Sequence, residues 1–492
     1  MKKLIKHTFS LSGIYALGDI FVKGIRFLLL PVYTAYLTPN DYGILAIAFV
    51  VNNISIAVLS LGLNGAAFKF YYDLKGQQRK RFYGTLWLFF LTVPVVTLLL
   101  FELAGKGFCG HLITKVPYDP YLRMALWLSF LMVAFTNFCC ELLKASERAI
   151  AYVLINAGQS ILVIGLSIWL VVGLRKGAQG ALLAQLFGVG AMSCICIFIL
   201  WKYISLGVDL PSLKKALLFG LPLMPHFLAH WVLGASDRVI LERYVPLSEV
   251  GVYSVGYLIG SMMIIFATAC NNAMLPLFGR AKPCGYSELR MLARITTYYI
   301  LVLTFVGLCL SLFSKEMVLL FTTDSYNKAA SIIPWIVLGY FFMGLYCIPM
   351  NAIVQITGNS KSIPLFTVTA ALLNIVLNIL LIPRIGMIAA ALTTATSYFL
   401  MFVGVFFLAY KIVRLPYEYY RILKIFLSSM LIYTAAKYLS QNNIWMAIVT
   451  KLLLLAFFPV FLWLIGFLNE QEYGTITNFL KKCQKLGMIP TS

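Results

Sequence analysis

FSLSGIYALGDIFVKGIRFLLLPVYTAYL, Phe9 to Leu37, is the stretch on which the fold turns. A helix rises 1.5 Å per residue, so about 20 apolar residues cross the hydrocarbon core of a bilayer, and this run is long enough. It nevertheless carries Asp19, Lys23 and Arg26. Spacings of four and three put all three on one helical face, and Ser12, Tyr15 and Tyr33 extend that stripe. A charge at mid-bilayer costs about 2.5–3.5 kcal/mol. One Asp offsets one cation, and two cations are present. The surplus positive charge must therefore face water, protein or an anion, so the stripe is the seed of a binding cavity.

The remainder of the chain repeats the apolar theme. Of 492 residues, 61% are hydrophobic and 11% are charged, against about 25% charged in a soluble domain. A polytopic membrane protein follows. Residues 1–8, with Lys2, Lys3 and Lys6, resemble the basic start of a signal peptide. The apolar run after them is too long and too charged for one, so it is expected to be retained. The net charge of +22 would suggest nucleic acid in a soluble protein. Here the positive charge lies mostly in short loops, which points to membrane topology and anionic membrane lipids instead. The ten cysteines show no Cys-x-x-Cys or Cys/His spacing, and no metal or cofactor is expected.

Counting apolar runs gives about fourteen membrane segments. They lie near 9–37, 42–66, 82–104, 121–143, 149–173, 178–201 and 215–241, then 249–277, 294–314, 329–356, 362–382, 386–410, 421–439 and 444–468. Placing the basic loops on the cytoplasmic side gives about 25 Lys and Arg inside against about 11 outside. Both termini are then expected in the cytoplasm. No connection exceeds roughly 20 residues, which leaves no room for a folded external domain.

The chain is also internally repetitive. Tyr36-Leu-Thr-Pro-Asn-Asp-Tyr-Gly43 matches Tyr244-Val-Pro-Leu-Ser-Glu-Val-Gly251 in its Tyr, acid and Gly. Gly177-Ala-Gln-Gly-Ala-Leu-Leu183 matches Gly386-Met-Ile-Ala-Ala-Ala-Leu392 at nearly the same offset. Two six-helix units in one orientation are expected: residues 1–204 and 205–410, followed by 411–492 with two further helices and a tail. Parallel repeats of this kind typically place a substrate path between them.

Three stretches carry a resemblance. They are Leu30-Pro31 through Tyr33 with Leu37-Thr-Pro-Asn-Asp-Tyr-Gly43; Ser236-Asp-Arg-Val-Ile-Leu241 with Glu249-Val-Gly-Val-Tyr-Ser254; and Leu373-Asn-Ile-Val-Leu-Asn378 with Ile382-Pro383 and Gly386. In that order, over roughly residues 10–410, they resemble the bacterial polysaccharide-unit flippases, the Wzx or polysaccharide transporter family. Its superfamily holds the multidrug and toxic compound extrusion antiporters and the lipid II flippase. The resemblance implies an all-α fold of fourteen helices in a V-shaped pair of bundles. It also implies translocation of undecaprenyl-diphosphate-linked oligosaccharide across a bacterial inner membrane, with a polysaccharide polymerase and other assembly proteins as partners.

The candidate ligands follow from charge and polarity. Lys23 and Arg26 suit an anionic diphosphate, Arg as a bidentate donor and Lys as a point charge. The competing reading pairs Asp19 with Lys23 structurally and lets Arg26 snorkel outward. Asp19 could instead titrate or bind sodium. Asp237 and Arg238 close segment 7. Arg238 is a candidate substrate contact and Asp237 a candidate for coupling H+ or Na+, with interfacial anchoring as the alternative for both. Lys69, with Tyr71 and Tyr72, ends segment 2 at the cytoplasmic face and could receive the diphosphate, or could simply belong to the positive charge that cytoplasmic loops carry. Asn53, with Ser60 and Asn64 on its face, and Asn374 with Asn378 could line a sugar path, or could bond neighbouring helices. His226 and His230 have metal-compatible spacing but lack a visible third ligand, and Pro222 and Pro225 suggest a bend.

The function expected is a flippase that compensates the diphosphate charge and is driven by membrane potential or an ion, since no nucleotide-binding motif is present. Two alternatives remain: a multidrug or cation antiporter on the same scaffold, and an integral glycosyltransferase or polymerase. The basic stripe argues against the first and the short loops against the second.

Overall fold

A computed structural model describes residues 27–280, 286–358, 362–439 and 443–468, together with Gly18, Phe21, Val22, Gly24 and Glu472. The described residues are helical throughout their ordered elements. Among the described residues, eleven helices are long and apolar enough to cross a membrane, or twelve if one bent pair is a single span. The chain is a multi-pass membrane protein. Of the fourteen expected segments, about half of the first lies outside the described residues. Segment 13 forms a helix, Tyr419–Tyr438, but is not among the apolar spans. It carries Arg421, Lys424 and Lys437, which lower its hydropathy.

The helices that position the site are these. α1 is Leu29–Tyr36, α2 Pro39–Ser60 and α3 Leu63–Asp73. α4 is Gly76–Leu112, α5 Tyr118–Ala145, α6 Ala149–Gly173 and α7 Gly177–Leu200. α8 is Leu210–Gly220, α9 Met224–Tyr244, α10 Leu247–Gly260 and α11 Met262–Arg280. α12 is Tyr286–Leu312, α13 Ser314–Phe321, α14 Ile333–Thr357, α15 Ile363–Ile385 and α16 Met387–Ile412. α17 is Tyr419–Tyr438 and α18 Ile444–Leu464.

Local chemistry sets the starts and breaks. Thr38 and Asp41 form a reciprocal capping box at α2, with Pro39 in the first turn. The expected segment 42–66 is not continuous. Leu61 (φ 45°) and Gly62 (φ 70°) are left-handed, so α2 ends and α3 starts on a new axis. Asn64 is therefore not on the helix that carries Asn53 and Ser60. The expected bend at the prolines of segment 7 is a break at Leu221–Leu223, with 49° between α8 and α9. The two breaks touch: a Cβ on Gly62 would lie 2.4 Å from the Gly220 carbonyl oxygen.

The repeated stretches meet each other. A Cβ on Gly43 would lie 2.0 Å from the carbonyl oxygen of Leu247, and one on Gly251 would lie 1.9 Å from that of Pro39. α2 and α10 thus cross backbone to backbone at their matching glycines, as small residues permit between membrane helices. The second matched pair behaves alike. Gly177 (φ +56°) would place a Cβ 3.5 Å from Asp41, and Gly386 (φ +66°) would place one 3.8 Å from Glu249.

Packing is divided in the same way. One core cluster draws on residues between Leu59 and Ala216, another on residues between Ala229 and Ala409. A third runs from Leu29 to Phe467 through both.

Candidate functional site

Between α2 and α10 lies a cavity of about 450 Å³. Its polar lining comes from Asn53 on α2, Gln185 on α7, Arg238 on α9, and Ser254 on α10 with Ser261 just beyond it. Tyr33, Tyr42, Tyr257 and Tyr340 supply aromatic wall. Two of the residues read as substrate ligands, Asn53 and Arg238, therefore come together, one from each half.

Arg238 is held rigidly. Its side chain folds back toward the start of α9, and Nη1 donates to the Gly234 carbonyl at 2.8 Å, one turn earlier. Nη1 also reaches Asp237 Oδ1 at 3.2 Å, while the Arg238 backbone N–H donates to the same oxygen at 2.8 Å. Neighbouring residues on a helix point about 100° apart, yet this fold-back lets them pair. The guanidinium carbon lies 4.0 Å from the centroid of the Tyr257 ring, a cation–π contact. Tyr257 in turn shares a 2.8 Å hydroxyl bond with Tyr340.

Asp237 is only 1% exposed, and Tyr253 donates its hydroxyl to Oδ2. The carboxylate orients Arg238 from behind and does not line the cavity. Nη1 is thus spent on the protein, whereas Nε and Nη2 carry no bond to the described residues. A buried charge that is paired and stacked can afford an outward-facing donor edge.

The other predicted ligands lie elsewhere. Asn374 and Asn378 are fully buried in a network between helices. Asn378 donates to Asn374 at 3.0 Å, Thr393 of α16 donates to Asn378, and Ser236 of α9 donates to Asn374 at 3.4 Å. This is the helix-bonding alternative, not the cavity wall. Lys69 is exposed on α3, and its Nζ sits 4.4 Å over the Phe219 ring of α8. Asp19, Lys23 and Arg26 lie outside the described residues. Among the described residues no three His, Cys, Asp or Glu groups could hold a metal, so His226 and His230 gain no third ligand.

Missing from the sequence reading were Gln185, Ser254, Ser261, Tyr257 and Tyr340. The legible signal was the pair Tyr253 and Tyr257, four residues apart, the first inside the quoted Glu249 motif and the second in the apolar run just after it.

One end of the cavity is fastened by bonds between the halves. Thr34 donates to the Phe321 carbonyl at 3.0 Å, Thr323 donates to the Thr34 carbonyl at 3.2 Å, and Tyr326 donates to the Leu37 carbonyl at 3.1 Å. Beside them Glu242, fully buried, accepts from the Thr114 backbone N–H at 3.2 Å and from the Lys115 N–H. Lys115 Nζ donates to the Val245 carbonyl at 2.8 Å. On the topology expected from the Lys and Arg count, this end would face outward.

Comparison with known proteins gives the following. A model of the polysaccharide biosynthesis protein family matches residues 11–282, and a MatE model matches residues 222–380. An uncharacterized membrane protein of Methanocaldococcus jannaschii is 24% identical over 188 residues, which is 38% of this chain and 37% of that relative's length. Among solved structures, the lipid II flippase MurJ in an inward closed conformation superposes with a TM-score of 0.76 at 14% identity, over 92% of this chain and 99% of that one. An inward-facing multidrug resistance MATE family transporter of the MOP superfamily gives 0.62 at 14% identity, over 80% and 97%. The Vibrio cholerae MATE transporter VcmN, as a point mutant, gives 0.54 at 14% identity, over 84% and 98%. The fold is the one these solved structures share.

Proposed function

The chain belongs to the polysaccharide biosynthesis protein family, and we propose that it is a flippase for undecaprenyl-diphosphate-linked oligosaccharide. The fold is that of the MOP-superfamily transporters. The observation that carries the finer reading is the Arg238 guanidinium, fixed in the wall of a cavity between two matching helices, with Nε and Nη2 free of the described residues. Phosphate oxygens take such donors in charge-assisted bonds. The surrounding amides, hydroxyls and tyrosine rings suit the hydroxyls and flat CH faces of sugars.

In this account the head group enters from the cytoplasm while the polyprenyl tail stays in lipid. The outer end is fastened in this state, so release outward requires the bonds at Thr34, Tyr326 and Glu242 to part. Lys23 and Arg26 would add cationic wall from the first helix. A negative-inside potential contributes about 2.3 kcal/mol per charge per 100 mV toward outward movement of the diphosphate. The protein would sit in a bacterial inner membrane with both termini cytoplasmic.

A second reading is a cation antiporter, which the aromatic wall favours. It needs an available carboxylate, and among the described lining residues there is none, because Asp237 is buried and committed to Arg238. Deleting the gene tests the choice. Lipid-linked oligosaccharide should accumulate on the cytoplasmic leaflet; unchanged leaflet distribution with a new sensitivity to cationic drugs would support the antiporter.

A further inference from the structure

Away from the central cavity, α12, α13, α17 and α18 enclose a second cavity of about 670 Å³. Three lysines line it, Lys315, Lys437 and Lys451, with Ser311, Ser314 and Asn327, and among the described residues no acidic one lines it. Lys451 is already neutralised: its Nζ lies 2.5 Å from Glu316 Oε1, with both side chains largely buried. Lys315 and Lys437 are exposed and have no acidic partner among the described residues. Two positive charges therefore face this space uncompensated.

The surroundings identify the depth. Tyr438 and Trp445 are exposed on either side of the α17–α18 connection, as aromatics are at a membrane interface. Lys451 lies six residues past Trp445, about 9 Å further into the hydrocarbon. Leu319 lines the cavity, and its neighbour Leu320 is exposed on the same short helix. The cavity thus joins a cationic, hydroxyl-bearing mouth at the interface to an exposed apolar flank. That combination fits an amphiphile with an anionic head, not a soluble ion.

The geometry points to a binding site for the phosphodiester head group of an anionic phospholipid, with the phosphate between Lys315 and Lys437 and an acyl chain along Leu319 and Leu320. This site is separate from Arg238 and stands whether or not the flippase reading holds. The neutral Lys451–Glu316 pair forms the floor.

The test uses the purified full chain in neutral detergent–phosphatidylcholine micelles, with thermal unfolding followed as phosphatidylglycerol is added. Wild type should show a saturable rise in Tm. Lys315→Gln with Lys437→Gln should raise the half-saturating mole fraction at least about tenfold, given roughly fivefold per interfacial lysine. Lys202→Gln with Lys214→Gln, which removes the same charge from exposed sites elsewhere, should titrate as wild type. Inorganic phosphate should leave Tm unchanged. An unaltered midpoint in the first variant, an equal loss in the second, or a rise with phosphate alone would each overturn the proposal. If the double variant does not fold, Lys437→Gln alone should still shift the midpoint about fivefold, and no shift would overturn it.

Discussion

Gly43→Ala is expected to open the outer end of the molecule. The added methyl would lie 2.0 Å from the Leu247 carbonyl oxygen and 2.9 Å from its carbon, and 3.3 Å from the Gly251 nitrogen. All three are backbone atoms, so no rotamer change can relieve the contact. A carbon–oxygen contact is comfortable at about 3.3–3.6 Å, so α2 and α10 must separate by roughly 1.3–1.6 Å. Overpacking of this kind costs about 1–3 kcal/mol, all of it in the state where the helices cross. If the outward-open state is spared, its population relative to the closed state rises about 5- to 150-fold. The assay is labelling of a cysteine placed at Asn53, in a cysteine-free background, by an impermeant maleimide added from outside. Its rate should rise by that factor with Gly43→Ala. Gly107→Ala is the control, because its Cβ would meet nothing within 4 Å. Wild-type labelling and wild-type Tm in the Gly43→Ala protein would refute the crossing as the closure point.

Other perturbations probe the site and its frame. Asp237→Ala leaves Arg238 buried without its partner and should cost about 3–5 kcal/mol; Asp237→Ala with Arg238→Leu should recover much of that Tm while abolishing transport. Glu242→Ala removes the acceptor for the Thr114 and Lys115 N–H groups and should cost about 1–3 kcal/mol, read as faster hydrogen exchange at residues 111–116. Asp209 caps α8, accepting from the Ser212 N–H at 3.2 Å and hydroxyl at 2.7 Å, and these bonds hold its carboxyl below the usual range. Its contribution is therefore present above the unfolded-state value of about 3.9 and is lost as pH falls through the lower folded value. Asp209→Ala should cost about 1 kcal/mol near neutral pH, and hydrogen exchange of Leu210–Gly220 should differ from wild type at pH 7 but converge with it in strong acid.

What could be read from the residues was what periodicity and charge control. Long apolar runs specify membrane helices, and the capping box at Thr38 and Asp41 is visible as a Thr-x-x-Asp start with Pro39. The repeat aligned Gly43 with Gly251, and those two glycines meet in space. The break at Leu61 was not legible, because leucine has no local preference for the positive φ it adopts there. Arg238 stood out because a charge beside an apolar run demands a reason. Tyr257 and Tyr340 did not, since 28 tyrosines are spread through a membrane chain and only the fold selects which face Arg238. Asn374 and Asn378 were legible as a pair, but the choice between sugar path and helix bonding depended on Ser236 and Thr393, which come from other helices.

The most direct test of the account reconstitutes the full chain in liposomes that carry a labelled undecaprenyl-diphosphate oligosaccharide on one leaflet and follows its appearance on the other. Wild type should move the lipid, faster with a potential that is positive on the receiving side, and Arg238→Gln, compared at equal amounts of folded protein because it leaves Asp237 buried without its cation, should fall at least about tenfold, as loss of one charged hydrogen-bond donor implies. Equal rates for wild type and Arg238→Gln, or no movement of the lipid by wild type at all, would contradict the claim that this cavity carries an anionic lipid-linked head group.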